Sequence, residues 1–215
     1  MAHMCLFMAP GSCSTAANII LEEVEEVFEV AVINIPAGEN RRPEYLAINP
    51  NGTIPSLRLK DGSVLTDLIS IAEWLGRNCR RGRYWPADPV LQDRARNIMR
   101  HVVGNVHGQG FSRIFVPEAY SYDPEEAAQT MSEGRRIAGK MLSEAALMLD
   151  PEGYALGAFS VADPILFYVE FWADMTDVPL PPRLLDHYRL MLGRDAVYRV
   201  LREEGYDPGK LGKAA

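Results

Sequence analysis

Two short apolar runs separated by an amphipathic stretch leave the start of this chain few ways to fold. Residues 5–8, Cys-Leu-Phe-Met, stop at Pro10 and Gly11 and read as a fully buried strand. Ser12 and Ser14 then offer hydroxyls suited to cap a helix. The apolar positions Ala16, Ala17, Ile19, Ile20, Leu21 and Val24 continue that helix, with the acids between Glu22 and Glu26 turned to water. Residues 28–35 are apolar and rich in β-branched side chains, so they read as a second buried strand. Strand, helix and strand in such close succession form a crossover unit, which requires the two strands to run parallel.

Residues 36–52 are a long connection rich in Pro, Gly and Asn, with Pro43-Glu44-Tyr45-Leu46 as a single helical turn. Two strands, 56–59 and 63–65, follow around Asp61-Gly62, a strong hairpin signal. Ile69, Ile71, Ala72, Trp74 and Leu75 place a helix after Asp67. The order β-α-β then β-β-α is thioredoxin-like. The stretch 79–89, with Arg81-Gly82-Arg83, Pro86 and Pro89, reads as a surface linker, and the arginines at 77–83 as its solvated charges. Beyond it the period is helical throughout, over 90–115, 124–149, 161–175 and 183–203, and the tail after Gly205 is expected to be loose. The expected organisation is an α/β domain over 1–80 and an all-helical bundle over 88–215.

Composition narrows the functional classes. A net charge of -7 and a pI near 5.2 argue against a nucleic-acid partner. No apolar run reaches the ~20 residues of a membrane helix, and the first residues lack the pattern of a signal peptide. Cys5, Cys13 and Cys79 form no C-x-x-C pair, which suits a reducing cytoplasm. The four histidines are scattered relative to the cysteines, so no metal site is expected.

Three segments carry a family resemblance: Met8-Ala9-Pro10-Gly11-Ser12-Cys13-Ser14; Asn49-Pro50-Asn51-Gly52-Thr53-Ile54-Pro55-Ser56-Leu57 with the following Asp61-Gly62-Ser63-Val64-Leu65-Thr66-Asp67; and Phe159-Ser160-Val161-Ala162-Asp163. Together, and in this order, they resemble the cytosolic glutathione transferases, specifically the bacterial beta-class-like members. The resemblance covers nearly the whole chain and is strong through residue 78.

Each segment also has a reading from its own residues. Cys13 lies at a helix start, where unpaired N–H groups and the dipole favour a thiolate with a depressed pKa; the alternative is a small packed residue. The resemblance implies that Cys13, or Ser12 or Ser14, holds the glutathione sulfur. Phe7 stands where a catalytic tyrosine would be expected, so that mechanism is absent. The resemblance further implies that the Ile54-Pro55 bond is cis, with the Ile54 backbone pairing with glutathione by strand addition. Asp67 would hold the γ-glutamyl amine. At Leu68 the usual serine is missing, which leaves only a backbone N–H for the carboxylate. His107 is read either as an active-site group or as a surface or core histidine. Ser160-Val161-Ala162-Asp163 is a capping box with a purely structural role. Trp172, Phe167, Tyr168 and Phe171 read mainly as core.

The activity implied is conjugation of glutathione, as co-substrate, to a small hydrophobic electrophile in a pocket supplied by the helical domain, within a homodimer. Two alternatives stand beside it. One is a thiol-disulfide reductase using Cys13 as nucleophile. The other is a transferase-like binding or regulatory module without catalysis.

Overall fold

The computed structural model describes residues 3–79, 84–121 and 123–213. Arg80, Arg81 and Arg83, the core of the expected basic linker, lie outside the described residues. The chain forms two compact units, Met1–Pro86 with Gly193–Gly209, and Ala87–Leu192 with Lys210–Ala215.

In the first unit, strand β1 (Met4–Met8) is buried along its whole length. Helix α1 (Ser14–Glu23) follows, then β2 (Phe28–Val32), the short turn of helix α2 (Pro43–Leu46), β3 (Ser56–Arg58), β4 (Val64–Leu65) and α3 (Leu68–Asn78). The sheet order is β2-β1-β3-β4. β1 pairs parallel with β2 and antiparallel with β3, and β3 pairs antiparallel with β4. This is the thioredoxin-like arrangement.

Contrary to expectation, the run 28–35 is not a buried strand. It ends at Val32 and lies at the sheet edge, with Val30 and Val32 49% and 58% exposed. Its β-branched residues favour extended backbone, but an edge position covers only part of each side chain.

A further helix, α9 (Asp195–Glu203), packs on α1. The acids at the end of α1, expected to face water, are used there. Glu23 receives both the Nε and the Nη2 of Arg194, at 2.6 and 2.7 Å, and Glu22 pairs with Arg199. The helical stretch 183–203 is therefore two helices, α8 (Pro182–Leu192) and α9, separated at Gly193 and at Arg194, whose backbone is extended.

The second unit is helical. α4 (Pro89–His101) continues through a π-helical segment, Val102–Phe111, into α5 (Ser112–Phe115). Helices α6 (Ala127–Ala146), α7 (Ala162–Met175) and α8 complete it. Phe167, Tyr168, Phe171, Tyr188 and Phe111 are buried in its core, as expected for the α7 aromatics. The π segment crosses α6 closely: a Cβ on Gly110 would lie 2.8 Å from the Ala138 Cα, and one on Gly134 would lie 2.8 Å from the Arg113 Cβ.

The capping box at Asp163 extends into a buried network. Asp163 accepts from the Ser160 N–H and hydroxyl and from the Ala155 N–H. His187 bridges Asp163 (3.0 Å) and Glu170 (2.9 Å), and all three side chains are fully buried. As far as Gly212 the tail is held: the Gly212 N–H donates to Asp174, and the Arg189 Nε donates to the Gly212 carbonyl. Among the described residues, no helix is long and apolar enough to cross a membrane.

Candidate functional site

Strand β1 delivers the chain into a tight loop, Ala9 to Cys13, before α1 begins. Ser14, fully buried, staples the loop: its hydroxyl donates to the Ala9 carbonyl and accepts from the Ala9 N–H. That leaves Ser12 to donate to Ser14 Oγ, at 2.6 Å, while accepting from the Ser14 N–H. The Ser12 proton is thus committed inside the loop. Ser12 caps the helix start as expected, through the Ser14 N–H; Cys13 already has helical backbone, and its side chain makes no capping bond.

The loop is also held from α9. The Glu204 carboxylate accepts from the Gly11 N–H (2.7 Å), the Thr15 hydroxyl (2.7 Å) and the Asn18 amide (3.0 Å). Gly11 has φ +71°, and a Cβ there would overlap the Tyr206 hydroxyl. Glu204 and Tyr206 were not among the expected site residues. Nothing local in Glu203-Glu204-Gly205 signals a role, because their partners lie at the opposite end of the chain.

Cys13 meets the second expected segment directly: its Sγ donates to the Ile54 carbonyl at 3.4 Å. The Ile54–Pro55 bond is cis. Burial pushes the Cys13 thiol up to about 12, although the N–H groups of Cys13 and Ser14 pull the other way. The expected depressed pKa is therefore reversed. The helix end acts in the predicted direction, but desolvation outweighs it.

The loop ahead of Ile54 is secured by polar groups. Asn49, fully buried, directs its amide nitrogen to the Thr53 carbonyl (2.8 Å), the Thr53 hydroxyl (3.1 Å), the Ser56 hydroxyl (3.2 Å) and the Thr66 carbonyl (3.4 Å). The Tyr45 hydroxyl donates to the same Thr53 carbonyl at 2.6 Å.

Asp67 is exposed and caps α3, accepting from the Ser70 N–H at 2.9 Å through one oxygen. Leu68 turns its side chain into the core at 5% exposure, so only its backbone faces the helix start.

His107 belongs to the second unit. Its Nδ1 lies 3.3 Å from the Tyr168 hydroxyl, and its ring packs edge-to-face on Tyr168 and Trp172. Burial lowers its pKa to about 4, so the imidazole is neutral near pH 7. The structure therefore brings Cys13, Ile54 and Pro55 into one place, with Asp67 and Leu68 joined to them through Asn49. Ser12 is bonded within its loop, and His107, half-buried, packs on Tyr168 and Trp172 of the helical unit. Among the described residues no group of His, Cys, Asp and Glu could hold a metal ion.

The family model described as "Glutathione S-transferase, N-terminal domain" matches residues 11–78, the segment that contains Cys13, Ile54, Pro55, Asp67 and Leu68. Glutathione S-transferase GstA of Escherichia coli O157:H7 is 30% identical over 173 residues, covering 79% of this chain and 82% of the relative. Maleylacetoacetate isomerase of Pseudomonas aeruginosa is 25% identical over 166 residues, covering 77% of this chain and 71% of the relative. Among solved structures, a glutathione transferase homologue from Sulfitobacter, determined with bound glutathione, shares the fold with a TM-score of 0.87 at 24% identity, over 94% of this chain and 99% of that one. With the GstA likeness extending across most of both proteins, this chain belongs to the glutathione S-transferase family.

Proposed function

We propose that the protein transfers glutathione to a small hydrophobic electrophile, with residues 1–80 holding glutathione and residues 88–215 supplying the electrophile's pocket. The observation that carries this reading is the Cys13 S–H donated to the Ile54 carbonyl. A peptide adding at this sheet edge needs that carbonyl for its own N–H. When the cysteinyl N–H of glutathione takes it, the Cys13 S–H is released to donate to the glutathione sulfur. The glutathione thiol loses its proton to solvent, and its thiolate is then held by Cys13 and by the N-terminal end of α1. The thiolate attacks an electrophilic carbon, a C–S bond forms, and the leaving group departs with the electron pair of its bond.

A thiol raised to about 12 suits a donor and not an attacking thiolate, which weighs against Cys13 as the nucleophile of a disulfide reductase. The isomerase among the relatives supports a second reading, in which the glutathione adduct rearranges and glutathione is released. His107, neutral near pH 7, is proposed as a hydrogen-bond donor toward the electrophile and not as a base.

The test is thermal melting of the wild type and Cys13→Ala with and without millimolar reduced glutathione, followed by an electrophile screen with Cys13→Ser. Saturating ligand at 100 times its Kd should stabilise the fold by about 2.7 kcal/mol. No shift in the wild type sinks the glutathione reading and leaves the non-catalytic module. Activity retained in Cys13→Ser supports a donor; a wild type active only on disulfide substrates, with that activity abolished in Cys13→Ser, supports the reductase. Sedimentation of the intact chain tests the proposed homodimer.

A further inference from the structure

One side chain in the first unit joins two segments that the proposed function uses separately. The Asn49 amide nitrogen has two hydrogens and four acceptors within reach. Three of the acceptors, the Thr53 carbonyl and the hydroxyls of Thr53 and Ser56, flank Ile54–Pro55. The fourth, the Thr66 carbonyl, immediately precedes Asp67 and the start of α3. The Asn49 oxygen accepts from the Asn51 N–H at 3.1 Å, so the carboxamide is used at both ends. It is fully buried, so water cannot take over a lost bond without opening the loop.

We infer that Asn49 is a positioning residue that couples the two ends of the glutathione site, setting the Ile54–Pro55 strand edge and the Asp67–Leu68 helix start relative to each other. This rests on the glutathione reading above. The cysteinyl backbone would pair at Ile54 and the γ-glutamyl group at Asp67. The spacing between these contacts must match one molecule. The shared nitrogen holds it: the Thr66 contact is the longest of the four at 3.4 Å, so a small shift of the carboxamide toward Thr53 releases the α3 side first.

Asn49→Asp keeps the oxygen that accepts from Asn51 and replaces the donor by an acceptor aimed at two carbonyls. In the ligand-free protein, hydrogen exchange should rise about tenfold in peptides covering both 50–58 and 64–70, with peptides from α1 unchanged. A rise confined to 50–58 would overturn the coupling and leave Asn49 a local loop staple. If Asn49→Asp does not fold, Asn49→Ser serves the same comparison, because its single O–H can satisfy one side at a time.

The ligand arm is a double-mutant cycle on glutathione binding by calorimetry. Asn49→Ser and Asp67→Ala should each weaken binding about tenfold, and together also about tenfold. A hundredfold product would overturn the proposal. With chlorodinitrobenzene as electrophile, the KM for glutathione should rise while kcat and the KM for the electrophile stay within about twofold; a fall in kcat alone would also count against it. A wild type that binds no glutathione would refute the function proposed above, and the exchange experiment would still decide the coupling.

Discussion

Replacing Glu204 tests whether α9 holds the Cys13 loop in place. Three donors converge on this carboxylate, from Gly11, Thr15 and Asn18. Thr15 and Asn18 are buried, at 0% and 5% exposure, so Glu204→Ala strands two donors that water reaches poorly. At about 1–3 kcal/mol for each buried donor left unsatisfied, the loss should be about 3 kcal/mol or more. Glu204→Gln is more informative. Its amide oxygen can stand where Oε2 accepts from Gly11 and Thr15. Its NH2 group would then meet the Asn18 NH2, a conflict that a flip of the Asn18 carboxamide removes. The cost should fall to about 1 kcal/mol, the part due to charge assistance. Urea unfolding of the three proteins measures both values. Hydrogen exchange over 9–15 should rise in the alanine variant and stay near wild type in the glutamine variant. An alanine variant within about 0.5 kcal/mol of wild type would refute the clamp, as would a glutamine variant as unstable as alanine.

Three further outcomes are expected. Burial alone would depress the His187 pKa, but the Glu170 and Asp163 carboxylates raise it to about 9 from an ordinary 6.5, so its contribution is complete below pH 6.5 and lost as pH rises through 9; that window is worth on the order of 3 kcal/mol by urea titration, and Glu170→Gln should flatten it. Gly110→Ala would press a methyl group to within 2.8 Å of the α6 backbone and should destabilise the protein by about 1–3 kcal/mol in the same assay, whereas an unchanged midpoint would mean that the crossing yields easily. With its thiol raised to about 12, Cys13 should react with iodoacetamide at pH 7.5 about a thousandfold more slowly than a free cysteine, by mass-spectrometric time course, and labelling at a peptide-like rate would overturn the burial argument.

Much of the fold was legible because its signals are local. The apolar run at β1, the Asp61-Gly62 turn, the helical turn at Pro43 and the period of α3 each depend on residues close in sequence, and all appear where expected. The cis Ile54-Pro55 bond was implied by the family resemblance, whereas the capping box at Ser160 was readable because its signal is likewise local. The edge position of β2 was not, because β-branched residues report extended backbone and not the number of neighbours that will cover it. Nor was the break between α8 and α9, where helical periodicity runs across Gly193.

The site divides along the same line. The family resemblance carried by the sequence brought forward Cys13, Ile54, Pro55 and Asp67, and each also stands beside a helix or strand terminus that short-range patterns locate. Only the tertiary structure decided their surroundings. The α1 terminus argues for a thiolate at Cys13, yet the burial that folding imposes outweighs a dipole whose reach is about one turn. Glu204 reaches Gly11, Thr15 and Asn18 across almost the whole chain, and His187 meets Asp163 and Glu170 only once α8 packs on α7. Desolvation and long-range polar pairing depend on which surfaces meet, and that information exists only after the chain has folded.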